Sequence, residues 1–272
     1  MGEAGKSSPS KDSKFDDEIA FEDLKQDSQI SLPNTSALEG VNYLFGHLIA
    51  HFLSPLLHQT VYNEIGQKWS QISLDLTSIL YFVSLTRDLK LFGASVTMPH
   101  KMDILPFLDE LTEEARDIGA CNTIYMRERD GSRTIGANTD CFGVRDAFLE
   151  NLPEGASKDV YRGRPGLIVG RGGSCRSAIY ALRKWLRCHP IYVVNRDTAK
   201  VEAMLSDYQQ LDPESKHYLI HVKTTSQAEN LPALGSIVSY IPNITPTTLG
   251  ELNARSVIET FLGKEKGAIL EM

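Results

Sequence analysis

From Gly166 the chain reads Gly166-Leu167-Ile168-Val169-Gly170, an unbroken apolar strand, and turns at Arg171-Gly172-Gly173-Ser174. It continues as a helix over Cys175–Leu186 and a second apolar strand, Ile191-Tyr192-Val193-Val194-Asn195. No other feature restricts the fold as much. A strand that is apolar at every position, not at alternate ones, must be covered on both faces. A helix joining two such strands makes a parallel pair, in a βαβ unit of roughly 30 residues. Beyond it the pattern predicts a helix over Thr198–Gln209 and strands over His217–Thr224, Ser236–Ile241 and Gly267–Glu271. The second half is therefore expected to be a Rossmann-like, doubly wound sheet.

The first half is α/β with a different rhythm. Val41–Gly46 predicts a strand ending on a glycine turn. Ser54 is expected to cap a helix with Pro55 in its first position, where the missing N–H costs nothing. Leu56, Leu57, Val61 and Ile65 would share one face of that helix, which stops at Gly66. Strands follow at Trp69–Leu74 and Gly93–Thr97, with a helix over Ile79–Leu89 between them, and a helix over Leu105–Gly119 comes next. Ile118–Met126 and Arg133–Asn138 predict a hairpin around Asp130-Gly131. Tyr81, Phe82 and Phe92 read as core.

A chain of 272 residues suggests about two domains. Residues 1–40 are rich in Ser, Asp, Glu and Lys and are expected to form a disordered acidic tail. Residues 41–150 and 151–272 are expected to form two domains, with the joint in the loop 151–165. The net charge of −7 argues against a nucleic-acid surface. Cys121, Cys141, Cys175 and Cys188 form no CxxC pair and no zinc spacing, so free thiols in a reducing cytoplasm are expected. No apolar run predicts a membrane span and no hydrophobic leader is visible, which also favours a cytoplasmic chain. His47 and His51 lie four apart without an accompanying glutamate and with Pro55 close behind, so no metal site is expected. Oligomeric state is left open.

The glycine turn follows a strand and opens a helix, the context that gives a GxGxx sequence meaning. Gly170 permits the tight turn, and Gly172 lets backbone approach a pyrophosphate. Gly173 and Ser174 begin a helix whose first N–H groups face the anion. Asn195-Arg196-Asp197, at the end of the second strand, stands where the adenosine ribose is read. Asp197 would accept from ribose hydroxyls and repel a 2′-phosphate, whereas the Arg196 guanidinium suits a phosphate. The reading favours NAD, with NADP the alternative.

Polar groups also gather in short segments of the first half: Ser95-Val96-Thr97-Met98-Pro99-His100-Lys101, Gly119-Ala120-Cys121-Asn122-Thr123 and Gly136-Ala137-Asn138-Thr139-Asp140. With His47–Pro55 before them and the glycine loop after them, their order and spacing resemble the shikimate dehydrogenase family. The resemblance runs from about Val41 to the end. Tyr180-Ala181-Leu182-Arg183-Lys184-Trp185 is similar to its fungal quinate/shikimate branch.

The resemblance implies hydride transfer between a nicotinamide dinucleotide and a ring hydroxyl of quinate or shikimate. It implies Lys101 and Asp140 as the catalytic pair, Thr97, Asn122 and Asp140 as partners of ring hydroxyls, and Ser54 as a donor to the substrate carboxylate. A proton acceptor within hydrogen-bond reach of the reacting hydroxyl is what such chemistry requires. His100 falls at a position the family leaves variable.

Two departures stand out. Phe52 occupies the place of the family's first substrate-binding serine, a loss of roughly 1.5–3 kcal/mol of charge-assisted hydrogen bonding. Gly267–Met272 resembles the strand after which the family has a Tyr-x-Pro segment, a glycine motif with a substrate-contacting glutamine and a returning helix. The sequence as written resembles a C-terminally truncated member, expected to be less stable and less active than a full-length relative. The rival expectation is a catalytically impaired member serving as a binding or regulatory protein.

Overall fold

The computed structural model describes residues 34–127, 133–241, 245–264 and 267–271. Two compact units emerge. One takes the residues up to Asp109 together with Ile124–Ile135; the other takes Glu110–Thr123 and the chain from Gly136 onward.

In the first unit, β1 (Gly40–Gly46) leads through α1 (Ser54–Glu64) to β2 (Trp69–Asp75), then through α2 (Ile79–Leu85) to β3 (Leu91–Val96). Both β2 and β3 pair with β1 in parallel, one on each side, so the strand order reverses at β1. Below these strands Phe45, Phe82, Ile49, Leu76 and Ile104 are fully buried. The short strands β4 (Glu110–Leu111), β5 (Thr123–Met126) and β6 (Thr134–Ala137) complete a sheet of order β2-β1-β3-β5-β6-β4. Arg127 N–H donates to the Arg133 carbonyl at 3.1 Å, as a hairpin requires. Its expected turn at Asp130-Gly131 lies outside the described residues, as does most of the tail expected over 1–40.

In the second unit, β7 (Gly166–Val169), β8 (Ile191–Val194), β9 (Leu219–His221), β10 (Ser236–Ser239) and β11 (Ala268–Glu271) form a fully parallel sheet of order β11-β10-β7-β8-β9. The apolar runs are buried on both faces, as their composition demands. Ile168, Val193 and Val238 join one core with Ile179, Leu182 and Val201; Leu167, Val169, Tyr192, Val194 and Ile237 join another with Val257 and Phe261. Those partners come from α5 (Gly173–Lys184) and α6 (Thr198–Leu211) on one face and α8 (Leu249–Leu262) on the other. The remaining helices are α3 (Glu113–Ile118), α4 (Asp140–Glu150) and α7 (Thr225–Glu229).

Several expectations are corrected. No single helix runs over Leu105–Gly119. A 3₁₀ turn at Leu105–Phe107 ends where Asp109 turns to Thr134, whose N–H and hydroxyl donate to its carboxylate at 2.7 and 2.8 Å. Thr112 then caps α3, which stops at Gly119 with φ +67°. Ser54 is the first residue of α1 and not its cap; Leu53 holds that position and no side chain caps the helix. The helix at Ile79 ends at Leu85, four residues early, where the Thr86 hydroxyl donates to the Val83 carbonyl. The strand expected over His217–Thr224 keeps only Leu219–His221, because Pro213 starts a 3₁₀ turn that reaches His217. Helices α4, α7 and α8 were not foreseen. The compact units are also drawn differently from the boundary at 150/151, since α3 and α4 pack on α5. All four cysteines are free and buried, as expected. No described helix is long and apolar enough to cross a membrane.

Candidate functional site

In the second unit the strand order reverses between β7 and β10, so the loops leaving their carboxyl ends border a crevice. The β7 loop is the glycine turn. Gly170 has φ +138°, and a Cβ there would stand 2.9 Å from Cys175 Sγ and 3.1 Å from Tyr240 Cβ, so only glycine fits. Gly172 has φ +93°, and among the described residues nothing lies within 4 Å of where its Cβ would be. Gly172 is also the N-cap of α5, with no side-chain hydrogen bond. Gly173 and Ser174 open that helix. Open space over a glycine, facing an uncapped helix start, fits the pyrophosphate of a dinucleotide.

At the β10 end, Tyr240 N–H donates to the Val169 carbonyl at 2.9 Å. Among the described residues the buried Tyr240 hydroxyl has no hydrogen-bond partner. Burial raises its pKa, and nearby Cys175 and Asp140 act in the same direction.

Asn122 and Asp140 meet in this unit. Asn122 Nδ2 donates to Asp140 Oδ1 at 2.6 Å and to Thr139 Oγ1 at 2.9 Å, while its Oδ1 accepts from Thr139 N–H at 2.8 Å. Both ends of the amide are thus used to orient the first turn of α4. Asn138 does the same one layer deeper. Its Nδ2 donates to the Ala120 carbonyl at 3.0 Å, and its Oδ1 accepts from Cys141 N–H at 3.2 Å and from Ser177 Oγ at 3.0 Å. Ser177 lies on α5, so the Asn122–Asp140 pair and the glycine-loop helix are fastened together. Asn138 belonged to a motif noted in the sequence, but no role was foreseen for it. A polar residue only 1% exposed would have been the signal, and burial is not written in a sequence.

Beyond β8, Asn195 Oδ1 accepts from Asp197 N–H at 3.0 Å. Asp197 is the N-cap of α6, accepting from Lys200 N–H at 3.1 Å, and its carboxylate faces Lys200 Nζ at 3.4 Å. The Lys200 N–H above all, then the Lys200 side chain, hold its carboxyl below the ordinary range. Arg196 is exposed and paired with Glu251 of α8, a partner sequence reading missed.

In the first unit the corresponding crevice lies at the carboxyl ends of β1 and β3. Thr97 N–H donates to the Phe45 carbonyl at 2.8 Å and His47 N–H to the Met98 carbonyl at 3.0 Å. The Thr97 methyl lies over Gly46, 2.3 Å from where a Cβ would stand. Ser54 Oγ donates to Gln71 Oε1 at 2.6 Å, and Gln71 Nε2 donates to Asn42 Oδ1 at 2.7 Å. Gln71, buried in β2, is a second supporting residue not anticipated. His100 is structural: its ring stacks on Phe45 at 4.3 Å and bonds the Leu76 carbonyl at 2.9 Å. Lys101 follows it, partly buried. Phe52 is exposed beside His51. His47 Nδ1 lies 2.9 Å from Asp75 Oδ1.

Residues 44–124 match the shikimate dehydrogenase substrate binding domain. Over 251 residues the chain is 47% identical to the quinate dehydrogenase of Emericella nidulans, covering 86% of this chain and 76% of that protein. The chain belongs to the shikimate/quinate dehydrogenase family. It is also 36% identical over 209 residues to the pentafunctional AROM polypeptide of Eremothecium gossypii, covering 75% of this chain and 12% of that polypeptide. The chain thus spans about an eighth of the family's pentafunctional relatives that it matches. Among solved structures, the dehydroquinate dehydratase and shikimate dehydrogenase part of S. pombe AroM superposes with a TM-score of 0.62 at 29% identity, over 85% of this chain and 42% of that one. The quinate dehydrogenase of Corynebacterium glutamicum in complex with NAD shares the fold, with a TM-score of 0.63 at 22% identity over 77% of this chain and 74% of that one. The α/β architecture with a Rossmann-like unit is that of the family.

Proposed function

We propose that this chain is a quinate/shikimate dehydrogenase that transfers hydride reversibly between NAD and a ring hydroxyl of its substrate. The carrying observation is 47% identity to a quinate dehydrogenase over 86% of the chain. In this reading residues 41–150 bind quinate or shikimate and residues 151–272 bind the dinucleotide. The cofactor, when bound, supplies the hydride acceptor. Gly170, Gly172, Gly173 and Ser174 receive its pyrophosphate, and Asn195, Arg196 and Asp197 its adenosine ribose. Lys101 and Asp140 are the catalytic pair beside the reacting hydroxyl, and one of the two accepts its proton, which must leave as hydride leaves the carbinol carbon. Thr97 and Asn122 orient ring hydroxyls, and Ser54 donates to the carboxylate. Asn122 supports its assignment by already holding Asp140 at 2.6 Å.

The preference for NAD over NADP rests on two carboxylates near the ribose-reading segment, Asp197 and the Glu251 partner of Arg196. A reducing, cytoplasmic compartment agrees with the buried thiols: burial pushes Cys141 up to about 12 and Cys188 up to about 11, which keeps them unreactive. The test is nicotinamide reduction by the purified protein, with quinate and shikimate each offered with NAD and NADP. Turnover fastest with NAD and either acid is expected. Absence of turnover in folded protein that binds a dinucleotide would overturn the catalytic reading and favour a binding role.

A further inference from the structure

Arg196 is the group that would welcome a 2′-phosphate, because a guanidinium matches phosphate geometry and charge. In this fold it is already engaged. Glu251 Oε1 accepts from Arg196 Nη1, and the two form an ion pair. The glutamate is the better fixed of the partners: its side chain is 15% exposed, that of Arg196 60%. The other carboxylate oxygen, Oε2, accepts from the N–H groups of Thr247 and Thr248, both at 3.0 Å. Thr248 Oγ1 accepts in return from Glu251 N–H at 3.3 Å, completing a reciprocal cap on α8. The N–H groups of Thr248 and Thr247, then the Thr248 hydroxyl and the Arg196 guanidinium, lower its carboxyl to about 2. It is therefore charged at any pH at which the enzyme would work. Gly250 lets the helix come this close. A Cβ there would stand 2.6 Å from the Arg196 carbonyl oxygen.

We infer that Glu251 is a positioning residue for cofactor choice, holding Arg196 neutralised so that the ribose-reading segment does not favour a 2′-phosphate. The inference rests on the dinucleotide reading above and deepens it. Arg196 alone would argue for NADP, and the carboxylate that reverses the argument arrives from a helix 55 residues away. A phosphate reaching Arg196 must either displace Glu251 or sit beside its charge, and like charges at that range repel. Asp197, whose carboxylate faces Lys200 Nζ at 3.4 Å, adds a second carboxylate to the segment and acts in the same direction.

The experiment measures dissociation constants for NAD, NADP and 2′,5′-ADP by calorimetry, so that no turnover is needed. The proteins are the wild type, Glu251→Gln, Arg196→Gln and the double variant. Glutamine keeps the acceptor oxygen and the capping box while removing the charge. Glu251→Gln is expected to tighten NADP and 2′,5′-ADP about tenfold, the scale of one charge-assisted hydrogen bond, with NAD within about twofold. That gain should vanish when Arg196 is also glutamine. Arg196→Gln alone should act on NAD and NADP alike and leave the NADP-to-NAD ratio within about twofold, because the guanidinium was already occupied. This variant tests the pair from the other end even if Glu251→Gln does not fold. An unchanged NADP-to-NAD ratio in Glu251→Gln, a gain that persists without Arg196, or a tenfold fall of the NADP-to-NAD ratio in Arg196→Gln would each overturn the inference alone. A wild type that binds neither dinucleotide would overturn the proposed function and this inference together.

Discussion

Asn122 reaches Asp140 and its neighbours with both ends of its amide. Its NH₂ donates to Asp140 and Thr139, and its carbonyl accepts from Thr139 N–H and from Thr123 Oγ1 at 3.1 Å. An Asp140 carboxylate held this way enters the proposed reaction already oriented, so its charge and not its placement is what a conservative substitution removes. Asp140→Asn is expected to lower kcat by about 10²–10⁴, the usual worth of a positioned proton acceptor. NAD affinity should stay within about twofold, since the pyrophosphate cradle is a separate set of atoms. Steady-state kinetics with quinate, beside a direct NAD titration, checks both halves. The identity of these residues was legible because Asn122 and Asp140 stand in short motifs of fixed order. Their hydrogen bond was not, because 18 residues separate them.

At the scale of elements, the fastening of α4 to α5 matters most. Asn138, 1% exposed, satisfies the Ala120 carbonyl, Cys141 N–H and the Ser177 hydroxyl. Truncating it strands the Ala120 carbonyl and the Cys141 N–H where water does not replace the partner, while the Ser177 hydroxyl keeps the Gly173 carbonyl at 3.2 Å. Asn138→Ala should cost at least about 2 kcal/mol, given about 1–3 kcal/mol for each orphaned group. Urea unfolding followed by tryptophan fluorescence reads this, and kcat should fall with it because Asp140 loses its anchor. The element that makes the network possible, α4, escaped sequence reading. Its apolar residues Cys141, Val144 and Phe148 fit a helix face, but Thr139 at the N-cap makes no side-chain capping bond that would mark the start of the helix. By contrast β7, β8 and α5 were legible because a strand buried on both faces is apolar at every position.

For the whole molecule, carboxylates in both units set the response to acid. In the first, Thr134 N–H, then its hydroxyl, hold Asp109 below the ordinary range; in the second, Lys200 N–H lowers Asp197 and the capping interactions lower Glu251 to about 2. Unfolded carboxyls titrate near about 4, so each group binds its proton more readily in the unfolded chain. The stability they contribute is complete above that value and is lost as pH falls through the folded values. Melting temperature is expected to be level from pH 7 to about 5 and to drop steadily from there toward pH 2. Scanning calorimetry at fixed ionic strength checks it. Asp109→Asn should flatten the drop, and an unchanged slope in that variant would remove Asp109 from the account.

The parallel sheet, the glycine loop, the order of the polar motifs and the free thiols followed from the sequence by itself, because each depends on residues that are neighbours along the chain. Composition decides whether a strand is covered on two faces, and a glycine doublet after it decides where the backbone can turn. What only the tertiary structure decided is which polar groups hold the others: Gln71 under Ser54, Asn138 between Ala120 and Ser177, Glu251 on Arg196. Those partners lie 17 to 55 residues apart. Their pairing depends on burial and on the packing of helices whose own boundaries are set by caps and close contacts, and a hydrogen bond between distant residues leaves no periodic trace in the sequence.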